Sequence, residues 1–263
     1  MSVDGSADLE RRFGALRRLY GDDGYARLRA SRVAVVGLGG VGSWAVEALA
    51  RSGVAELTLI DLDHVAESNI NRQVQALGAT IGQSKVQALR DRIADIHPGC
   101  MVHDVEEFVD EGNWPALLTR PVDAVIDACD QARAKAALAA WSIASGTPLV
   151  SVGAAGGKRA AQAIELDDLA AVTHDALLAS LRQRLRKQHG APRSGPIGVR
   201  CVFSREAVTA PPDACDVDGS LNCHGYGSSV AVTAAFGMVA AGAVIELLTG
   251  AEQVAESLPK STL

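Results

Sequence analysis

A short apolar run feeds straight into a glycine loop, and the loop into a helix; few architectures accommodate that order. Val33-Ala34-Val35-Val36 has the length and β-branched content of a fully buried strand. It is closed by Gly37-Leu38-Gly39-Gly40-Val41-Gly42, after which Gly42 to Arg51 carries helical periodicity through Trp44, Val46, Leu49 and Ala50. The first glycine makes a tight turn, the middle ones let backbone amides approach an anion, and the last lets helix and strand pack closely. The helix N-terminus adds partial positive charge where a phosphate would sit. Glu56 to Asp61 forms a second strand, and Asp61 ends it nineteen residues after Gly42, where a carboxylate can accept from ribose hydroxyls. Taken alone, this unit means an adenine nucleotide, with NAD the commoner ligand.

Alternation continues downstream. A helix with Val86, Leu89, Ile93 and Ile96 ends at His97-Pro98-Gly99, a third strand lies within Met101–Val109, and a fourth covers Ala124–Ala128. An Ala-rich helix from Ala132 to Ser145 leads to a fifth strand, Pro148–Val152, and the flexible Gly153–Gly157. Strands alternating with helices predict a doubly wound, mostly parallel α/β sheet with ligands at the strands' carboxyl ends. Aromatic residues are only 4 % of the 263, so Ala, Val, Leu and Ile must fill the core, as suits buried parallel strands under Ala-rich helices. Beyond Gly157 the pattern loosens: Ala163–Leu166 is a candidate strand, His174–His189 a basic helix, and Gly190–Gly227 reads as one long loop.

Val230–Ile245 is apolar or small apart from Thr233, shorter than the ~20 residues a bilayer requires. Gly237 and Gly242 suit close helix packing, so a helix buried in the fold or in a dimer interface is expected, without membrane insertion. The five cysteines include no C-x-x-C pair, which removes the usual structural zinc signature. Their odd number and the polar N-terminus predict a reducing, cytoplasmic setting.

Three features shift the expected ligand from NAD to ATP. Ser68-Asn69-Ile70-Asn71-Arg72-Gln73 follows Asp61 and Asp63, and an arginine there suits phosphate. Lys85, after Gly82, opens the next helix, where an ammonium can neutralise phosphate charge. Asp127-Ala128-Cys129-Asp130 ends the fourth strand with two carboxylates expected to face the cleft and share a Mg²⁺ with the phosphates. The net charge is −6, yet seven basic residues and no acid lie between Ala176 and Arg205. Such a stripe, including Arg182, Arg184, Arg186 and Lys187, is either a solvated face or a local phosphate-binding surface.

Together, Gly37–Gly42, Asp61-x-Asp63, Ser68-Asn69-x-x-Arg72-Gln73, Gly82-x-x-Lys85 and Asp127-x-x-Asp130 resemble the E1-like adenylating superfamily, over residues 10 to about 157. Arg12-Phe13-Gly14, Leu19-Tyr20-Gly21, Gly40–Trp44, Gly156-Gly157, Cys201–Ser204 and Asn222–Gly227 look most like its tRNA threonylcarbamoyladenosine dehydratase branch. The resemblance implies an adenylation domain over 1–157. Residues 158–263 would complete the same fold with the basic helix, the long loop and the apolar helix. It further implies ATP with Mg²⁺, leaving room for a monovalent cation, and ATP-dependent cyclisation of a tRNA nucleoside through an acyl adenylate.

By position, the resemblance assigns Asp61 to ribose and Gly37, Gly39, Gly40, Gly42 and Asp63 to the nucleotide. It assigns Asn69, Arg72 and Lys85 to the α-phosphate and Asp130 to the metal. Arg12 matches an arginine that reaches into the partner's site in E1-like homodimers. Departures are Gln131, where the superfamily has Asn, and His97-Pro98, where an Asn-Pro turn is common. Two other classes compete. One is an activator of a small sulfur-carrier or acceptor protein, with Cys201 or Cys223 taking the product; the missing C-x-x-C motifs weigh against it. The other is a non-catalytic nucleotide-binding module, against which stand Arg72, Lys85 and Asp130.

Overall fold

The computed structural model describes residues 7–209 and 226–250. Two N-terminal helices, α1 (Leu9–Phe13) and α2 (Arg17–Ala30), precede the sheet, and their packing side was not evident in the sequence. Gly21 breaks the second at φ +71, a left-handed turn open to glycine. The expected alternation then follows as β1 (Arg32–Val36), α3 (Gly42–Arg51), β2 (Glu56–Ile60), α4 (Lys85–Ile96), β3 (Met101–Val105), β4 (Ala124–Asp127), α5 (Ala132–Ser145) and β5 (Leu149–Val152). After it come β6 (Ile164–Asp168), α6 (Ala176–Gln188), β7 (Arg200–Ser204) and α7 (Val230–Thr249).

The seven strands form one sheet in the order β3-β2-β1-β4-β5-β7-β6. Every neighbouring pair is parallel except β6 with β7. The winding direction reverses between β1 and β4, and such a switch point opens a crevice at the carboxyl ends of those two strands. Register brings the crevice walls together: Val36 faces Ile60 on one side and Asp127 on the other.

Strand alternation assigns the core to two layers. Val33, Val35, Leu57, Leu59 and Ile126 face α3, α4 and α7, whereas Ala34, Val36, Val125 and Phe203 face α5 and α6. The stretch Gly190–Gly227 is not one loop. β7 runs through its middle, hydrogen-bonded between β5 and β6, with Cys201, Val202 and Phe203 fully buried. Its apolar run is too short to stand out from the Gly- and Pro-rich flanks, and tertiary pairing rather than local propensity makes it a strand.

α7 passes the length and hydropathy criteria for a membrane span, at 20 residues and a mean hydropathy of 2.0. One side nevertheless lies in the core against α3 and the sheet, with Val232, Phe236, Ala240 and Val244 buried. Gly237 makes the closeness possible: a Cβ there would stand 2.4 Å from the Val41 carbonyl oxygen and 2.9 Å from Trp44 Cβ. Gly242 does not share that role, since a Cβ at its position meets nothing within 4 Å.

Candidate functional site

A cavity of about 560 Å³ opens at the carboxyl ends of β1, β2, β4 and β5, reaching from the glycine loop to the segment after β5. The loop's glycines are required by geometry. Gly37 has φ +84, and a Cβ on it would lie 2.8 Å from the Cys129 amide and 2.9 Å from the Ala128 carbonyl oxygen. A Cβ on Gly42 would overlap the Gly37 carbonyl oxygen at 1.8 Å. Gly39 and Gly40 line the cavity, and a side chain on Gly39 would meet no protein atom within 4 Å. The loop thus leaves open space beside its own amides at the start of α3, the arrangement that receives phosphate.

Asp61 forms the floor. It is 8 % exposed, and its two carboxylate oxygens accept from the Leu38 amide at 2.6 Å and the Asp63 amide at 2.8 Å. Burial pushes its pKa above the usual carboxylate value, against the pull of Lys85 and of those two amides. Lys85, 6 % exposed at the start of α4, holds its ammonium 2.7 Å from Asp63 Oδ2 and 3.7 Å from Asp61 Oδ1. Its own amide donates to the Asp63 carbonyl, so the whole Asp61–Asp63 turn is tied to the helix.

Arg72 and Asn69 enter from the turn after β2. Asn69 is spent partly on structure, its Oδ1 accepting the Ala66 amide at 3.1 Å. The Arg72 backbone is fixed by a hydrogen bond from Trp44 Nε1 to its carbonyl, 2.9 Å, and its stem crosses Gly40. Nη1 donates to the Ser68 carbonyl and to Asn71 Oδ1. Nε and Nη2 take no protein acceptor among the described residues, leaving donors for an anion.

The two aspartates at and just after the end of β4 separate. Asp130 lines the cavity and is exposed, whereas Asp127 is fully buried and faces α5, where it pairs with Lys135 at 3.1 Å. The expected carboxylate pair is therefore a single one: Asp127 shares the face of Val36 and Val125 but is covered by α5, and it does not line the cavity. One carboxylate still fits a Mg²⁺ that arrives on a triphosphate and keeps phosphate and water ligands. No cluster of three or more His, Cys, Asp or Glu groups able to cage a metal occurs among the described residues.

Other expected residues lie elsewhere. Arg12 donates to the Asp95 and Ile96 carbonyls, both at 2.6 Å, capping the end of α4 outside the cavity. Arg182 is committed to structure, holding the Leu169 and Val172 carbonyls at 2.9 and 2.8 Å. Arg186 braces the following loop through Pro192 and Arg193, Arg184 is half-buried, and Lys187 is exposed. Cys201 is fully buried in β7 with its thiol pKa pushed far up by burial, which removes it as an acceptor of an activated acyl group. Cys223 lies outside the described residues.

Four cavity residues escaped the sequence reading. Glu107 and Phe108 follow β3, where the rule of carboxyl ends points without any motif to mark them. Lys158 is 3 % exposed and donates to the Ser204 and Glu206 carbonyls at 2.9 Å, tying the segment after β5 to the end of β7. Asp175 caps α6 through Leu178 and also accepts from the Ala154 amide at 2.8 Å, bringing that helix start to the cavity wall.

Comparison with known proteins matches residues 12–261 to the ThiF family. The chain is 39 % identical over 246 residues to the tRNA threonylcarbamoyladenosine dehydratase of Haemophilus influenzae, covering 92 % of this chain and 94 % of that one. Identity to the enzyme of the same name from Escherichia coli is 40 % over 252 residues, covering 91 % and 94 %. The solved structure of the E. coli tRNA N6-threonylcarbamoyladenosine dehydratase in complex with ATP superimposes with a TM-score of 0.85 at 38 % identity, over 96 % of this chain and 99 % of that chain. The Escherichia coli molybdopterin-synthase adenylyltransferase is 41 % identical, but over only 129 residues, 49 % of this chain.

Proposed function

The chain belongs to the ThiF family, and we propose that it is an ATP-dependent dehydratase that cyclises threonylcarbamoyladenosine in tRNA. The observation that carries this reading is one cavity in which the glycine loop, Asp61, Arg72, Lys85 and Asp130 sit together. Near full-length similarity to dehydratases, one of them solved with ATP, supports it.

The chemistry follows from the groups present. A carboxylate oxygen of the modified nucleoside attacks the α-phosphorus of ATP, and pyrophosphate leaves. A nucleophilic atom of the same side chain then attacks the activated carbonyl, closes the ring and expels AMP, so the carboxylate oxygen departs on AMP and the net change is loss of water. No enzyme nucleophile is needed, because the attacking atom is tethered at high effective concentration. What the protein supplies is charge and position: the loop amides and the free Arg72 donors for the phosphates, Asp61 for ribose, and Lys85 for charge developing at the α-phosphate. Mg²⁺, held by Asp130 and the phosphates, would neutralise the departing pyrophosphate.

Two parts of this reading concern assembly. Arg12 completes the site of a second copy in a homodimer, and Arg184, Arg186 and Lys187 contact tRNA phosphates. α6 begins at the cavity wall and carries Lys187 about 16 Å away at 1.5 Å per residue, a span suited to a substrate much larger than its reacting group. The setting is the cytoplasm, where tRNA is found. Activation of a sulfur-carrier protein has less support: the burial of Cys201 removes one acceptor thiol, and similarity to the molybdopterin-pathway adenylyltransferase covers half the chain.

The deciding experiment is tRNA-dependent exchange of pyrophosphate into ATP, with mass spectrometry of the nucleoside. Exchange and loss of one water with tRNA lacking the cyclic modification are expected. Exchange driven by a small protein's C-terminus and not by tRNA would overturn the assignment.

A further inference from the structure

Lys135, in the first turn of α5, is completely buried. Its ammonium reaches the edge of the sheet beneath the cavity, 2.7 Å from the Val152 carbonyl oxygen and 3.2 Å from the Asp127 carbonyl oxygen. It also lies 3.1 Å from Asp127 Oδ2 and 3.4 Å from Ser151 Oγ. Ser151 in turn donates to Asp127 Oδ2 at 2.7 Å, and Asp127 Oδ1 accepts from the Cys129 amide at 3.3 Å and faces the Cys129 thiol at 2.9 Å. One cation therefore gathers the last residues of β4 and β5 and, through Asp127, the turn that presents Asp130.

Stability alone gives this cluster no reason to exist. β4 and β5 are already joined by their backbone ladder, and a buried ion pair replaced by apolar groups of similar volume is often neutral or stabilising. What apolar groups could not do is hold two carbonyls and the Cys129 amide in fixed directions at the point where the chain leaves the sheet for the cavity. Asp130, in contrast, is exposed at the cavity wall and has no partner of its own among the described residues, so the turn is what aims it.

We propose that Lys135 is a positioning residue: by clamping the ends of β4 and β5 it fixes the Cys129 turn and aims the Asp130 carboxylate at the metal-bearing phosphates of ATP. The assignment rests on the adenylation reading of the cavity. Groups that orient a metal ligand from behind usually weaken metal binding by about 10- to 100-fold when removed.

The test pairs Lys135→Met with Asp127→Asn, so that no lone buried charge remains, and measures ATP affinity by calorimetry with Mg²⁺ and with EDTA. The double variant should melt near the native temperature and bind ATP in EDTA as the native chain does. In Mg²⁺ it should bind ATP at least about tenfold more weakly. Adding Asp130→Ala should weaken Mg²⁺-dependent binding no further, because a residue acting through Asp130 has nothing left to act on. Lys135→Arg, which keeps the charge but spreads its donors over a wider fork, gives the same comparison should the double variant not fold. Native Mg²⁺-dependent affinity in these variants, or a full additional loss from Asp130→Ala, would overturn the proposal. Since ATP binding needs no tRNA, a native chain inert toward tRNA counts against the dehydratase reading alone.

Discussion

Lys85 Nζ sits 2.7 Å from Asp63 Oδ2 and 3.7 Å from Asp61 Oδ1, a buried ammonium shared by two carboxylates at the floor of the cavity. Asp61 is nine-tenths buried and Asp63 half-exposed, so the lysine chiefly offsets the cost of the buried carboxylate while leaving Asp63 accessible to solvent. A phosphate entering above the loop would compete with Asp63 for that ammonium. Lys85→Gln should therefore keep the fold and depress the adenylation rate by two to three orders of magnitude, ~3 kcal/mol or more of transition-state stabilisation. Circular dichroism with single-turnover release of pyrophosphate reads both, and a near-native rate would relegate Lys85 to balancing Asp61.

The two glycines of α7 make opposite predictions. Gly237→Ala places a methyl 2.4 Å from the Val41 carbonyl oxygen, forcing α7 off α3, and should cost about 1–3 kcal/mol. Gly242→Ala meets open space and should be neutral or stabilising by up to about 1 kcal/mol through helix propensity. Urea denaturation of the two variants side by side checks the contrast. Because Val41 belongs to the phosphate loop, Gly237→Ala should also weaken ATP binding.

His97 sets a pH dependence of stability. Its ring is 1 % exposed, and burial first, then Arg29 and Arg12, lowers its pKa from 6.5 to about 4. Arg29 Nη1 lies 2.8 Å from Nε2 and can only donate, so the neutral ring with its proton on Nδ1 is the folded form. Between about pH 6.5 and 4 the unfolded chain binds a proton that the folded chain refuses, so stability is full above 6.5 and falls as pH drops through that window. The loss approaches ~3 kcal/mol. His97→Gln should flatten the slope of unfolding free energy over this range; an unchanged slope would mean that other groups carry it.

The parts of the site written as local pattern were legible in the sequence. The glycine loop, Asp61 and the start of α4 follow from turn geometry and periodicity, and α5 runs over Ala132–Ser145 as its composition predicts. What failed was orientation and long-range pairing. Asp127 and Asp130 look like a pair in one dimension, yet the pairing of Asp127 with Lys135 of α5 keeps it buried, and of the two only Asp130 reaches the cavity. Lys135 reads as a surface lysine on an Ala-rich helix until the partner buried behind it is known. β7 has only five residues set among Gly- and Pro-rich flanks, and its place between β5 and β6 makes it a strand.

The basic stripe of α6 separates into two kinds of arginine, which can be tested apart. Arg182 donates to the Leu169 and Val172 carbonyls, so Arg182→Ala should lower the melting temperature and leave tRNA affinity almost unchanged. Lys187 is exposed, Arg184 is half-buried and Arg186 donates to loop carbonyls, and none of the three has a carboxylate partner among the described residues. If they meet tRNA phosphates, each contact releases counterions, and log affinity should fall linearly with log salt. Reversing all three to glutamate should raise the KM for tRNA and flatten that slope by up to about 3 units, one per lost contact. ATP binding depends on the glycine-loop cavity at the other end of the helix and should hold. Filter binding across a salt series, with ATP calorimetry as the control, reads both quantities. A triple variant that binds and modifies tRNA normally at every salt concentration would make this face of α6 a solvated surface and move the docking site elsewhere on the chain.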